Sequence, residues 1–324
     1  MFRVSQSKIN TWNTCGFKYH QRYVEKLRRI RKPRPLLFGS IVHDMDEAAA
    51  AGDDPFAVLD KWYKDNKKMF AEEIAHYGNI IEDIRILYTE YQITHPEKSL
   101  MPVRINKRNA EHEFEVPITK NILFIGKIDR VVKWKGDRWL YERKTFTKFP
   151  DEDTRWRSVQ SASYIACMAM MGWPPVAGTL WDYFRSKPPS EPQFKKDGTL
   201  SNRECDTLPT KLKQYAKENN IKPAAIAPLM KKAEERRKQY FPRVHTIIKP
   251  RVVNTIMQDV IVTAADMAKR HGTRKERNIG QHCSWCDYEL LCRAELQGLD
   301  VKTIKERNYR REEYKKPEVE VAAE

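Results

Sequence analysis

The sequence predicts a mixed α/β protein: a helical N-terminal region, a mixed sheet core flanked by helices, and a cysteine-bearing C-terminal lobe. Three observations predict it. Apolar residues recur at helical intervals through most of residues 1–98. The texture then switches to strict alternation from Glu111 to Thr119 and stays strand-like through "ILFIGKIDRVVKW" and "RWLYERKTF". Helical periodicity returns over 211–240 and 251–271, after which three of the chain's six cysteines crowd into "CSWCDYELLC".

Taken in order, "SQSKINTWNTCGFKYHQRYVEKL" places Ile9, Trp12, Tyr19 and Tyr23 at helical spacing, with Ser5 or Ser7 as the cap. "KLRRIRKPRP" follows as a basic loop with a proline stop. "LLFGSIVHDMDEAAAA" reads as a second helix. "DDPFAVLDKWYKDNKKMFAEEIAHYG" and "NIIEDIRILYTEYQITHP" read as two more, with Asp53 or Asp54 and Asn79 as caps. The three strand-like runs read as a β-meander. "RSVQSASYIACMAMMG" is then a helix ending at Gly172, and "VAGTLWDYFRS" a further strand. The expected division is 1–98 helical, 99–185 α/β core, 186–210 a long polar loop or flap, 211–302 helical with the cysteines, and 303–324 a charged tail.

The chain has 324 residues, enough to bury a sizeable core without covalent staples. It contains no apolar run long enough for a membrane helix, and "MFRVSQSKINTW" lacks the apolar centre of a signal peptide. A cytoplasmic address is therefore expected, and clustered cysteines there read as metal ligands before disulfides. The 60 Lys and Arg against 44 Asp and Glu give a net charge of +16, which favours a polyanionic partner, nucleic acid first.

The sharpest chemistry lies in "GKIDRVVKWKGDRWLYERKTF". A type I′ turn centred on Lys135-Gly136 puts Trp134 opposite Asp137 and Asp129 opposite Glu142. Opposed carboxylates about 5 Å apart repel each other unless a cation lies between them. Lys144, two residues past Glu142, shares its face. Two carboxylates can hold Mg²⁺ or Mn²⁺ while Lys144 orients or deprotonates the attacking water or stabilises the developing charge on a phosphodiester, whereas an ordinary strand with cross-strand ion pairs is the plainer alternative. His43 in "GSIVHDMDE" is a further metal-ligand candidate. Gln160 and Tyr164, four apart in "QSASY", share one helix face directly after the hairpin.

Cys283, Cys286 and Cys292 have the spacing C-x2-C-x5-C. His282 would complete a zinc site; a fourth thiolate would instead make an iron–sulfur cluster. Cys167 sits in an apolar helix and Cys205 in the polar loop. Cys15 stands beside Gly16, whose missing side chain leaves room for a bulky group.

Six stretches in order resemble the PD-(D/E)XK nuclease superfamily, in particular its RecB- and AddB-like iron–sulfur branch with the CRISPR-associated and phage single-domain exonucleases. They are "SQSKINTWNTCGFKYHQRYV", "FGSIVH", "GKIDRV", "YERKT", "QSASY" and "CSWCDYELLC", spanning residues 5–292. Gly16 replaces the family's usual proline, and no helicase motif is present. The resemblance implies a restriction-endonuclease-like core. It implies His43, Asp129 and Glu142 as metal ligands, Lys144 as the catalytic lysine, and Gln160 and Tyr164 as substrate-positioning residues. It further implies a 4Fe-4S cluster on Cys15, Cys283, Cys286 and Cys292. The expected activity is metal-dependent DNA exonucleolysis in DNA processing, recombination or repair, acting on single strands or duplex ends. The rival readings are a non-catalytic nucleic-acid-binding protein on the same scaffold and a redox-responsive regulator.

Overall fold

The computed structural model describes residues 1–66, 75–96, 100–196, 200–201 and 205–312. The chain folds as two compact units. The first comprises Met1–Lys32, Glu115–Ile125 and Gln258–Glu324, and the second Pro33–Phe114 and Gly126–Met257.

In the first unit, strand β1 (Phe2–Val4) runs parallel to β5 (Ile122–Ile128), with Phe2 opposite Ile122 and Val4 opposite Phe124. Strand β4 (His112–Thr119) flanks β5 on its other side. Ser5 caps α1 (Gln6–Thr14) by accepting from the Lys8 N–H. The single helix expected through Tyr23 is interrupted. Cys15 is extended, at φ −168° and ψ 127°, and the chain restarts as α2 (Gly16–Tyr19) and one π-helical turn, His20–Val24. The cause is a neighbouring segment. The Phe17 N–H donates to the Glu276 carbonyl at 3.0 Å, and a Cβ on Gly16 would lie 2.8 Å from that same oxygen. Glycine there admits a backbone, which corrects the expectation of space kept for a bulky group.

Part of the basic loop is also structured. Leu27–Arg29 forms β2, antiparallel to β10 (Tyr309–Arg311), with Arg29 opposite Tyr309. The segment expected as a charged tail thus supplies β10 and most of a helix, Val301–Asn308; residues 313–324 lie outside the described residues. Cys15, Phe17, Leu27, Tyr288, Leu291 and Tyr309 form a small core.

The second unit holds the larger core. Helices α3 (Arg34–Ala51), α4 (Pro55–Asp65) and α5 (Ile80–Thr94) bury Phe38, Ile41, Met45, Leu59, Ile84 and Leu87 together. Helix α3 begins with a proline in its first turn, where a missing N–H costs nothing, and ends at Gly52 in the left-handed region, φ 91°. Asp54 and Asn79 cap α4 and α5; the continuation expected over 67–74 lies outside the described residues.

The five-stranded sheet has the order β3-β6-β7-β8-β9, built from Met101–Pro102, Arg130–Trp134, Asp137–Phe146, Gly178–Arg185 and Arg243–Ile247. Strands β7 and β8 are parallel. A parallel pair needs a crossover, here α6 (Glu152–Trp156) and α7 (Val159–Met170). The expected meander is not one sheet. The run "ILFIGKIDRVVKW" breaks at Asp129, so β5 pairs with β1 and β4 whereas β6 pairs with β7. The Asp129 carbonyl accepts from the Glu111 N–H at 2.8 Å, outside both ladders.

Residues 211–240 divide into α8 (Pro209–Glu218) and α9 (Pro223–Tyr240), followed by α10 (Pro250–Arg270). In the 186–210 segment an antiparallel bridge joins Phe194 to Leu200, while residues 197–199 and 202–204 lie outside the described residues. No helix among the described residues is long and apolar enough to cross a membrane.

Candidate active site

The β6–β7 hairpin sets the geometry. Lys135 and Gly136 both have positive φ, 51° and 92°, as a type I′ turn requires. The register runs from Trp134 opposite Asp137 to Arg130 opposite Tyr141. Continued by one residue, it leaves Asp129 just past the end of the ladder and beside Glu142. The Arg143 N–H fixes the aspartate there, donating to its Oδ2 at 3.1 Å.

Glu142 is 4% exposed, and Lys144 lies on the same face of β7. The Lys144 Nζ is 2.6 Å from Glu142 Oε1. Ser158 caps α7 by accepting from the Ser161 N–H, which directs Gln160 in the first turn toward this pair. Gln160 donates through Nε2 to Glu142 Oε1 at 2.8 Å and accepts from Lys144 Nζ on its Oε1 at 3.0 Å. Glu142, Lys144 and Gln160 therefore close a hydrogen-bonded triangle. Tyr164, one turn further, is buried edge-to-face against Phe114 at 5.3 Å. Gly126 lets it approach, since a Cβ there would stand 2.5 Å from Phe114 and 3.0 Å from the Tyr164 ring.

The charges are strained against one another. Burial pushes the Glu142 carboxyl above its usual range and Asp129 adds to the push, while Lys144 opposes it. Burial likewise raises Asp129, against the Arg143 N–H and Lys144. The two carboxylates outweigh the desolvation of Lys144 and raise it above a free lysine. His43 lies with Asp46, Glu47, Glu111 and Asp129 around a small cleft. Burial lowers its pKa, so its ring is neutral at pH 7 and free to act as a ligand.

Beside these residues lies a buried network the sequence did not single out. The Arg143 guanidinium pairs with Asp46 at 2.9 Å and donates to Tyr141 Oη at 3.0 Å. Tyr141 and Tyr91 both donate to Asp182 Oδ2, at 3.0 and 2.9 Å, and Arg243 pairs with it at 2.6 Å. A signal existed: Asp46 stands one helical turn after His43, and Arg143 sits between Glu142 and Lys144.

Among the described residues, no three His, Cys, Asp or Glu side chains converge closely enough to hold a metal ion by themselves. The donor chemistry nevertheless suits a small divalent cation. Burial raises both carboxyls and Asp129 raises Glu142 further, and Mg²⁺ is commonly held by one or two carboxylates, waters and substrate phosphate oxygens.

In the first unit Cys15 belongs to the small core, with Cys286 and Cys292 packed against it. Three N–H groups point at their sulfurs. The Asn278 and Tyr288 amides donate to Cys15 and Cys286 at 3.5 Å each, and Arg277 Nε donates to Cys292 at 3.3 Å. Cys283 lies in the 3₁₀ turn Gln281–Trp285, and its carbonyl accepts from the Cys286 N–H. His282 turns to the Asn278 carbonyl, 2.7 Å from its Nε2. Every cysteine is free of disulfide bonds. Iron–sulfur clusters take such N–H bonds at their sulfurs, but here burial raises the Cys286 thiol, and among the described residues no three of these side chains converge on a metal position.

Within the basic run "KLRRIRKPRP", Arg28 and Arg29 donate to the carbonyls of Arg22 and Asp287. Arg34 pairs with Asp83 at 2.7 Å. These three are committed to the fold.

One comparison with known proteins identifies a family. The profile of the PD-(D/E)XK nuclease superfamily matches residues 3–293. No curated protein matches the chain. A solved structure described as "Crystal structure of SSO0001" aligns at 11% identity over 73% of this chain and 80% of that one, with a TM-score of 0.29, too slight a likeness to carry an argument.

Proposed function

The chain belongs to the PD-(D/E)XK nuclease superfamily, and from that premise we propose that it is a metal-dependent DNA exonuclease with a structural 4Fe-4S cluster. The observation that carries the reading is the triangle of Glu142, Lys144 and Gln160 set beside Asp129. Asp129 and Glu142, with His43 at the edge of the cleft, would hold Mg²⁺ or Mn²⁺. When bound, the ion would polarise a phosphoryl oxygen and lower the pKa of a water.

The chain's own groups do the rest. Lys144, kept protonated by Glu142, stabilises charge developing on the attacked phosphate. Gln160 fixes the lysine's position through its amide oxygen and the glutamate's through its amide nitrogen. Tyr164 orders the first turns of α7 by packing on Phe114, which supports a positioning role. The net charge of +16 favours a DNA partner, as single strands or duplex ends, with salt-sensitive binding. The N–H donors around Cys15, Cys286 and Cys292 support the cluster, with Cys283 as the fourth thiolate.

The test is digestion of end-labelled linear and covalently closed circular DNA, single- and double-stranded, with Mg²⁺, Mn²⁺ or EDTA, for wild type and Lys144→Ala. Metal-dependent loss of linear DNA alone, absent in the variant, is the expected result. Folded wild type that binds DNA and cuts nothing with either metal would make the binding-protein reading the better one.

A further inference from the structure

The second unit contains a cavity that the proposed chemistry does not use. It has a volume of about 440 Å³, within the range of small-molecule sites. One part of its lining is apolar and of small cross-section, with Ala49, Ala50 and Ala51 of α3 and with Leu100, Pro102 and Val132. Another part is cationic. Arg130, Arg143 and Arg243 line it, with Asp46 as the acidic member. Asp182 neutralises Arg243 at 2.6 Å and Asp46 neutralises one edge of Arg143. The Arg143 Nη1 is buried and meets no acceptor. The Tyr88 and Tyr91 hydroxyls on the wall already donate to Asp46 and Asp182. What remains is one excess positive charge, on Arg130, whose Nη2 also donates to the Asp46 carbonyl at 2.5 Å, one buried donor without an acceptor, and an apolar slot. The exposed Gln92 side chain adds an amide that can both donate and accept.

An apolar slot with an amide on its wall, a surplus positive charge and one guanidinium N–H without an acceptor matches a planar heterocycle carrying a phosphate. We propose that this cavity binds a nucleoside monophosphate, its phosphate on Arg143 and Arg130, its base between the alanine wall and Val132. The assignment rests on the nuclease reading for its biological sense, because a mononucleotide is what an exonuclease releases when it removes one residue at a time. It also rests on position. Asp46, Arg130, Tyr141 and Arg143 line both this cavity and the cleft that holds His43 and Asp129. Arg143 touches the cavity with its side chain and Asp129 with its backbone N–H. The nucleotide is either the free product or the terminal residue of a strand.

The test is calorimetric titration of the full-length protein in EDTA, where nothing is cleaved, with dAMP, inorganic phosphate and deoxyadenosine. The expected result is dAMP binding at least tenfold tighter than either fragment. Ala50→Trp, which fills the slot, should lower dAMP affinity at least tenfold. Gln92→Glu, an exposed change that spares the core, should lower it at least threefold and serves if Ala50→Trp does not fold. A terminal-residue site is indicated if dAMP displaces a 5′- or 3′-phosphorylated oligonucleotide, and a free-product site if both bind together. Absence of dAMP binding to wild type, or equal binding by wild type and both variants, overturns the proposal. Binding of dAMP by a protein that cuts no DNA would leave the cavity standing and remove the nuclease reading; cleavage without dAMP binding would do the reverse.

Discussion

The backbone N–H of Arg143 holds Asp129 Oδ2 at 3.1 Å while its guanidinium, on the other face of β7, pairs with the buried Asp46. One residue thus anchors a carboxylate of the candidate site and closes an internal ion pair. Arg143→Met keeps the first contact and removes the second. Asp46 would be left buried without its cation, which typically costs about 3–5 kcal/mol. Urea denaturation should show a loss of that size. A change below about 1 kcal/mol would mean that Asp46 is satisfied by other groups.

Gln160→Ala should leave the fold and DNA affinity intact, because its side-chain hydrogen bonds go to Glu142 and Lys144 and its backbone carbonyl still accepts from the Ser163 hydroxyl. Loss of the bridge frees Lys144 to swing, and misplacement on the scale of 1 Å can cost about 100-fold in rate. Single-turnover cleavage should fall about 10- to 100-fold with unchanged binding. An unaltered cleavage rate would remove Gln160 from the positioning machinery.

Cys15→Ala should release iron, abolish absorbance near ~400 nm and lower the melting temperature. Gly16→Ala isolates the backbone contribution, since its Cβ meets Glu276 O and Arg274 Cγ at 2.8 and 2.9 Å. Overpacking of that kind costs about 1–3 kcal/mol. The glycine variant should therefore retain iron and lose stability, as read by iron assay and thermal melting together.

Asp206 provides a pH handle away from the candidate site. Burial would raise its carboxyl, but hydrogen bonds from Arg185, Tyr240 and Lys187 outweigh it and hold the pKa at about 2. The folded pKa lies below that of an unfolded aspartate, about 3.9. Its stabilisation is therefore present above pH ~4 and is lost as the pH falls toward 2. Asp206→Asn should be less stable than wild type at pH 6, and the gap should close between pH 4 and 2. A gap independent of pH would show that packing, not charge, is what the substitution disturbs.

The hairpin was legible in the sequence because its register follows from one turn. Lys135-Gly136 fixes which residues face each other, and the ladder from Trp134–Asp137 to Arg130–Tyr141 follows. The gathering of Asp129, Glu142, Lys144 and Gln160 then needed only strand alternation and the start of the next helix. What was not legible depends on partners distant in sequence. Cys15 breaks α1 because residues 274–276 approach it, and Leu27–Arg29 is a strand because Tyr309–Arg311 pairs with it. Asp129 divides one apparent strand between two sheets, a choice made by β1 and β7 and invisible in local alternation. The Arg143 network escaped notice because charged residues in a strand read as solvent-facing until both neighbouring layers are known.

The pairing of β2 with β10 has a consequence for synthesis on the ribosome. Arg29 is translated 280 residues before its partner Tyr309. At about 5–20 residues per second, the nascent N-terminal segment waits roughly 15–55 s for the strand that completes its sheet. The second unit, by contrast, has all its residues by Met257 and can close while translation continues. The newborn chain therefore carries Leu27–Arg29 unpaired while the 280 residues up to Tyr309 are made, and that interval is when a chaperone would have to shield it.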